Sequence, residues 1–203
     1  MSTSARNLIL ANLATLLAAL FFAWDIGWLF WPYWIQSVVI GWYARKRMLS
    51  LARFSTRGFT SGGKPVPETE AGKRSTATFF AFHYGFFHLG YLAFLFAEHR
   101  IADALDALVL IACGFSFVLS QRATYAVQHA ADLRGCPNLG KMMATPYLRI
   151  VPMHLGVLFF AGAGSSPMAL VLFTALKTAS DLGLDLIDRR YAERAAAKTA
   201  HVP

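Results

Sequence analysis

The sequence is short of charge and nearly free of cysteine. Asp, Glu, Lys and Arg make up 15% of its 203 residues, whereas a soluble domain carries about a quarter. That deficit leaves too little material for a water-facing surface and argues against an ordinary soluble enzyme. The two cysteines, Cys113 and Cys136, lie far apart. No paired-cysteine spacing exists, which excludes a thiolate zinc motif and makes a disulfide framework untenable. Cys113 sits in an apolar run and reads as a small apolar residue. Acidic residues are also scarce, 11 against 19 basic ones. There is no internal repeat. The apolar run Leu8–Ala23 follows Arg6 as a signal peptide would. It lacks a small-x-small cleavage site, so it is expected to be a retained membrane span.

Apolar and aromatic residues are plentiful: 56% of the chain is hydrophobic, with 17 Phe and 5 Trp. Six apolar stretches stand out, at 7–24, 28–47, 76–97, 104–126, 147–164 and 167–188. Each approaches the roughly 20 residues that a helix needs to cross the hydrocarbon of a bilayer. The expectation is an all-α polytopic membrane bundle of six transmembrane helices, forming a single domain over 1–203. The short links "DIG", "EHRIAD" and "GAGSSP" imply antiparallel neighbours. The longer connection 48–75, rich in Gly, Pro, Ser and Thr, is expected to be a mobile cytoplasmic loop. "QRATYAVQHAADLR" continues the fourth helix, with Gly135 as its stop and Pro137 just beyond. Trp24, Trp28, Trp31, Tyr33 and Trp34 form an aromatic belt at one interface.

A net charge of +8 would suggest nucleic acid in a soluble protein. Here the basic residues sit between apolar runs, so membrane lipids are the expected partners and nucleic acid is not. All of the 19 basic residues except Arg100 and Lys177 fall on one side of a six-span chain. The positive-inside rule then places both termini in the cytoplasm, the membrane being a bacterial inner membrane. Arg149 is expected to snorkel to that interface. A homo-oligomer is compatible with this arrangement.

Polar side chains at membrane depth are costly and mark candidate sites. His83, His154 and Asp181 each lie about 10 Å from the cytoplasmic end of their spans at helical rise. Two imidazoles and a carboxylate in one layer suit a divalent metal ion, zinc foremost. His88 is a weaker fourth ligand, turned about 140° from His83 and about 7 Å deeper. It also belongs to a Tyr84, His88, Tyr91 stripe at i, i+4 and i+7, which reads equally as a hydrogen-bonded face between helices. In "LKTASDLGLDLIDRR", Lys177, Asp181, Asp185 and Asp188 form one polar stripe. Lys177 and Asp181 can neutralise each other, or Asp181 can bind metal. Pro152 removes a donor just before His154 and can bend the fifth helix. His99, His129 and His201 are expected to be solvated surface residues.

At "YWIQSVVIGWY", "FHYGFFHLGY", "PYLRIVPMH" and "LKTASDL" the chain resembles an uncharacterised bacterial integral membrane family, domain-of-unknown-function family 6498, over about 7–188. The resemblance implies a multi-span fold with polar residues at these places and no particular reaction. It also implies Glu in many members where this chain has Gln36. Combined with the residue reading, the expectation is a metal-dependent membrane hydrolase acting on a lipid-like substrate. His83, His154 and Asp181 would hold the metal, and Lys177 or Tyr84 would steady an oxyanion. The alternatives are a small transporter or an ion or proton pathway using the same polar layer, a haem protein, or a purely structural membrane protein.

Overall fold

The computed structural model describes residues 3–160 and 162–199. His201 and the side chain of Asp188 lie outside the described residues. The chain is almost wholly helical. Helix α1 spans Thr3–Phe21 and α2 spans Gly27–Ser50. A small hairpin follows, with β1 at Thr60–Ser61 and β2 at Lys64–Pro65 paired antiparallel. Next come α3 (Glu70–Glu98) and α4 (Ala104–Arg134). The last part comprises α5 (Leu139–Ala144), a 3₁₀ turn at Thr145–Arg149, α6 (Ile150–Phe160) and α7 (Pro167–Thr199).

The helix boundaries follow local chemistry. Thr69 caps α3 by accepting from Gly72 N, and Asp103 caps α4 by accepting from Asp106 N. Each side-chain oxygen satisfies an amide that the first turn leaves unpaired. Gly135 ends α4 where a stop was expected. Pro152 falls in the first turn of α6, where a missing N–H breaks no intrahelical bond. The break in this part of the chain is instead the 3₁₀ turn before Ile150.

Helix α2 is the hub. It packs on α3 and α4 along its length and touches α5 and α6, while α1 pairs with α7. Ile26, Phe30, Tyr33, Leu95, Leu170 and Phe173 are sealed in the core. The Phe30 and Phe173 rings meet edge to face at 4.7 Å. Gly156 lets them approach α6, since a Cβ there would lie 2.9 Å from Phe30 and 3.0 Å from Phe173.

Large apolar side chains also cover the outside. Phe82, Phe86, Phe115, Val127 and Phe159 are exposed, far more apolar surface than a soluble monomer presents. Three helical segments are long and apolar enough to cross a membrane: Glu70–Glu98, Ala104–Arg134 and Leu139–Phe160. A shorter apolar helix covers Ile9–Phe21. These features are consistent with a membrane location.

The three short links gather at one end. Ile26 N donates to Gly164 O at 2.9 Å, and Asp25 Oδ1 lies 2.7 Å from His99 Nδ1. Gly164 has φ +54°, the left-handed conformation that favours glycine. At the opposite end, the connection expected to be mobile carries regular structure. Ser55 N donates to Pro137 O, and Leu139 N donates to Ser55 O, both at 2.9 Å. Thr56 Oγ1 donates to Val66 O at 2.6 Å, and Lys73 Nζ donates to Leu51 O at 2.6 Å. Composition alone pointed to a linker, but buried Leu51, Thr56 and Val66 give this segment a small core of its own.

Candidate functional site, a buried ion cluster

The polar layer foreseen in the sequence exists, but it is wired differently. Asp181 is 3% exposed. Its Oδ1 lies 3.0 Å from an Arg149 guanidinium nitrogen, and its Oδ2 lies 2.8 Å from Lys177 Nζ. Lys177 also donates to Asn12 Oδ1 at 2.8 Å, and Asn12 Nδ2 reaches Asp181 Oδ2 at 3.4 Å. The second arm of Arg149 donates to Gln36 Oε1 at 3.2 Å. Lys177 stands 5.7 Å from the centre of the Tyr33 ring, a cation–π distance. Residues from α1, the 3₁₀ turn and α7 thus meet at one carboxylate, with Gln36 and Tyr33 of α2 against its two cations.

Local structure explains the convergence. Lys177 and Asp181 are one turn apart on α7, so they share a face. The 3₁₀ turn re-aims the chain before α6 and carries Arg149 inward, where it is 9% exposed. The expected snorkelling of Arg149 is therefore corrected: its charge is held inside by Asp181 and Gln36. Two cations share one carboxylate, and Arg149 Nε is buried without a hydrogen-bond partner.

The expected metal set is not assembled. Among the described residues, no group of three or more His, Cys, Asp and Glu side chains comes together in a way that could hold a metal ion. His83 is exposed on the outer face of α3, with Nδ1 2.9 Å from the Tyr147 hydroxyl. His154 is exposed on α6, and its Nδ1 lies 3.3 Å from the Tyr91 hydroxyl. Asp181 is committed to Arg149 and Lys177. Equal depth along three helices placed these groups in one layer, but rotation about each helix axis sent them to different faces.

The buried histidine is His88, at 5% exposure. Its Nδ1 lies 2.8 Å from the Tyr84 carbonyl and its Nε2 lies 2.9 Å from Ser37 Oγ. A carbonyl only accepts, so Nδ1 carries the proton and Nε2 accepts from the serine hydroxyl. Both ring nitrogens are thereby used within the protein, which leaves His88 no lone pair for a metal or haem iron. The Tyr84 hydroxyl completes the chain, 2.7 Å from Ser37 Oγ. This matches the reading of Tyr84, His88 and Tyr91 as a hydrogen-bonded face between helices. Gly41 on α2 makes room for the Tyr84 ring, which a Cβ at that position would overlap.

Three further polar sites escaped the sequence reading. Arg47 forks onto Asp132, with Nε–Oδ2 at 2.7 Å and a second arm at 3.0 Å from Oδ1, and also donates to Gln128 Oε1 at 2.7 Å. This clamp ties α2 to α4. In the sequence Arg47 is only one of the basic residues counted on one side of the chain. Its signal was Gln128 and Asp132, four apart on one helical face. Asn12, the second, is a lone amide in an apolar run whose partner only the fold supplies. His99, the third, is 9% exposed rather than solvated. It pairs with Asp25, and its carbonyl accepts from Trp31 Nε1 at 2.7 Å.

Fold and site define a mainly helical protein with membrane-capable helices and a buried ion cluster. The chain belongs to a family of unknown function (DUF6498), whose model matches residues 1–198. No curated protein and no solved structure matches it.

Proposed function

We propose that this chain is a multi-pass membrane protein that binds and conducts a small anion through its core, with Arg149, Lys177 and Asp181 at the binding point. The observation that carries this reading is the charge imbalance: two cations, buried Arg149 at 3.0 Å and part-buried Lys177 at 2.8 Å, share the buried carboxylate of Asp181. An uncompensated charge in a low dielectric is costly, and an anionic ligand removes that cost. The bare Nε of Arg149 supplies a further donor for it. Of the functions expected from the sequence, this is the transporter or pathway. The metal-dependent hydrolase, with zinc at His83, His154 and Asp181, and the haem protein find no support in the ligand geometry.

Six crossings with both termini in the cytoplasm of a bacterial inner membrane remain our proposed topology. Its support is the gathering of the three short links at one end and the basic excess in the remaining segments. Surrounding lipid is the proposed partner.

Reconstitution into proteoliposomes tests the function. Uptake of labelled small carboxylates and inorganic phosphate is expected to exceed that of empty liposomes and to fall at least about tenfold in Arg149→Gln and Lys177→Met. Uptake equal to that of empty liposomes across the panel sinks the reading.

A further inference from the structure

Two adjoining cavities open between α2 and α4 at the end where the short links meet, and no residue of the ion cluster lines either. The first, of about 220 Å³, is polar, with Asp25, Glu98, Arg100 and Asp106 in its walls beside Trp28 and Trp31. The second, of about 350 Å³, has only apolar walls, including Trp34, Ile35, Ile111 and Gly114. Trp31, Ile101 and Leu110 line both, so the two lie side by side. The result is a groove with a charged mouth and an oily floor.

We propose that this groove holds one zwitterionic phospholipid, with its ammonium-and-phosphate head in the mouth and an acyl chain along the floor. The mouth contains both signs of charge, three carboxylates (Asp25, Glu98 and Asp106) beside one guanidinium (Arg100). Arg100 offers a guanidinium for the phosphate. The carboxylates and the tryptophan faces suit an ammonium group. Two of the carboxylates are also held in place. Asp25 Oδ1 is fixed by His99 at 2.7 Å and by Gly27 N at 2.8 Å, and Asp106 Oδ2 accepts from Ala102 N at 3.2 Å. An anionic lipid without an amine would set a net negative charge against three carboxylates, with only neutral hydroxyls to offer them. The apolar part falls in the size range of small-molecule pockets and admits a hydrocarbon chain without stranding any polar group. Tryptophans at this end sit where a lipid head meets its tails.

Native mass spectrometry of the full chain, released from an equal mixture of phosphatidylethanolamine and phosphatidylglycerol with matched chains, tests the proposal. One retained phosphatidylethanolamine is expected, favoured over phosphatidylglycerol by about tenfold or more. The isosteric double variant Glu98→Gln/Asp106→Asn is expected to abolish that preference. Gly114→Leu fills the floor, since its Cβ would already lie 3.3 Å from Ile35 Cγ2, and is expected to release the lipid whatever its head. If Gly114→Leu lowers the melting temperature, the head-group variant decides alone. Equal retention of both lipids by the wild type overturns the proposal, as does a preference that survives the head-group variant. Either result marks the groove as a seat for surrounding lipid only.

Discussion

Arg149 lies 3.0 Å from Asp181, and both side chains are withdrawn from the surface. The pair joins the 3₁₀ turn before α6 to α7, two elements that also pack on each other. Arg149 also links this part of the chain to α2, through its 3.2 Å bond to Gln36. The excess charge that Lys177 adds makes the cluster a functional candidate as well as a structural one.

Removing the carboxylate is expected to cost more than removing either cation. Asp181→Asn leaves buried Arg149 and part-buried Lys177 facing each other with no counter-charge, a change on the order of 3 kcal/mol. Lys177→Met leaves a balanced Arg149–Asp181 pair and is expected to cost about 1 kcal/mol or less. Thermal unfolding in one detergent compares the two. A Lys177→Met variant less stable than Asp181→Asn contradicts the charge argument.

Gln36→Glu gives Arg149 its own carboxylate at a position where an oxygen already lies 3.2 Å away. The cluster then balances. Stability is expected to rise on the order of 1 kcal/mol, while anion uptake falls because the ligand's role has been taken. A rise in both quantities separates stability from function and refutes the link between them.

The three membrane-depth histidines are expected to behave unequally. His83→Ala and His154→Ala remove exposed rings and are expected to change stability by about 0.5 kcal/mol or less. His88→Ala removes a buried ring together with its hydrogen bond to the Ser37 hydroxyl, a loss of about 1–3 kcal/mol. Urea unfolding of the three variants gives the ranking, and metal analysis of each is expected to show no dependence on His83 or His154.

Gly41 is expected to tolerate no side chain. Even a Cβ would overlap the Tyr84 ring, so Gly41→Leu forces α2 from α3. Overpacking of this kind costs about 1–3 kcal/mol. Gly85 has nothing within 4 Å of a built Cβ, so Gly85→Leu serves as the control and should leave the melting temperature unmoved.

Arg47→Lys is expected to loosen the end of α4. Lysine keeps the charge but loses the fork that grips both oxygens of Asp132. Hydrogen exchange of the amides near Gln128 and Asp132 is expected to accelerate by about tenfold, with the amides near Ala104 unaffected.

Much of the architecture was legible because bilayers and helices impose simple periods. Apolar runs of the right length announced α3 and α4, and Gly135 announced where α4 stops. Lys177 and Asp181 were visible as a possible pair because one helical turn brings them together without any tertiary information. The ordered segment between α2 and α3 was not legible. Its stability rests on Ser55 meeting Pro137 and Leu139, contacts between residues far apart in a composition that otherwise reads as linker.

The sequence by itself determined how far along its helix each polar residue lies, since helical rise converts position into height. It determined nothing about which way they face across the bundle, because azimuth depends on how each helix is rotated against its neighbours. His83 and His154 share a height and turn outward; His88, set aside as the deeper and weaker candidate, turns inward to Ser37. Arg149 appeared to belong to the interface until the 3₁₀ turn carried it to Asp181. Height is a one-dimensional property of the chain, whereas partnership at close range is decided by packing. Packing here made the core an ion cluster in place of a metal site.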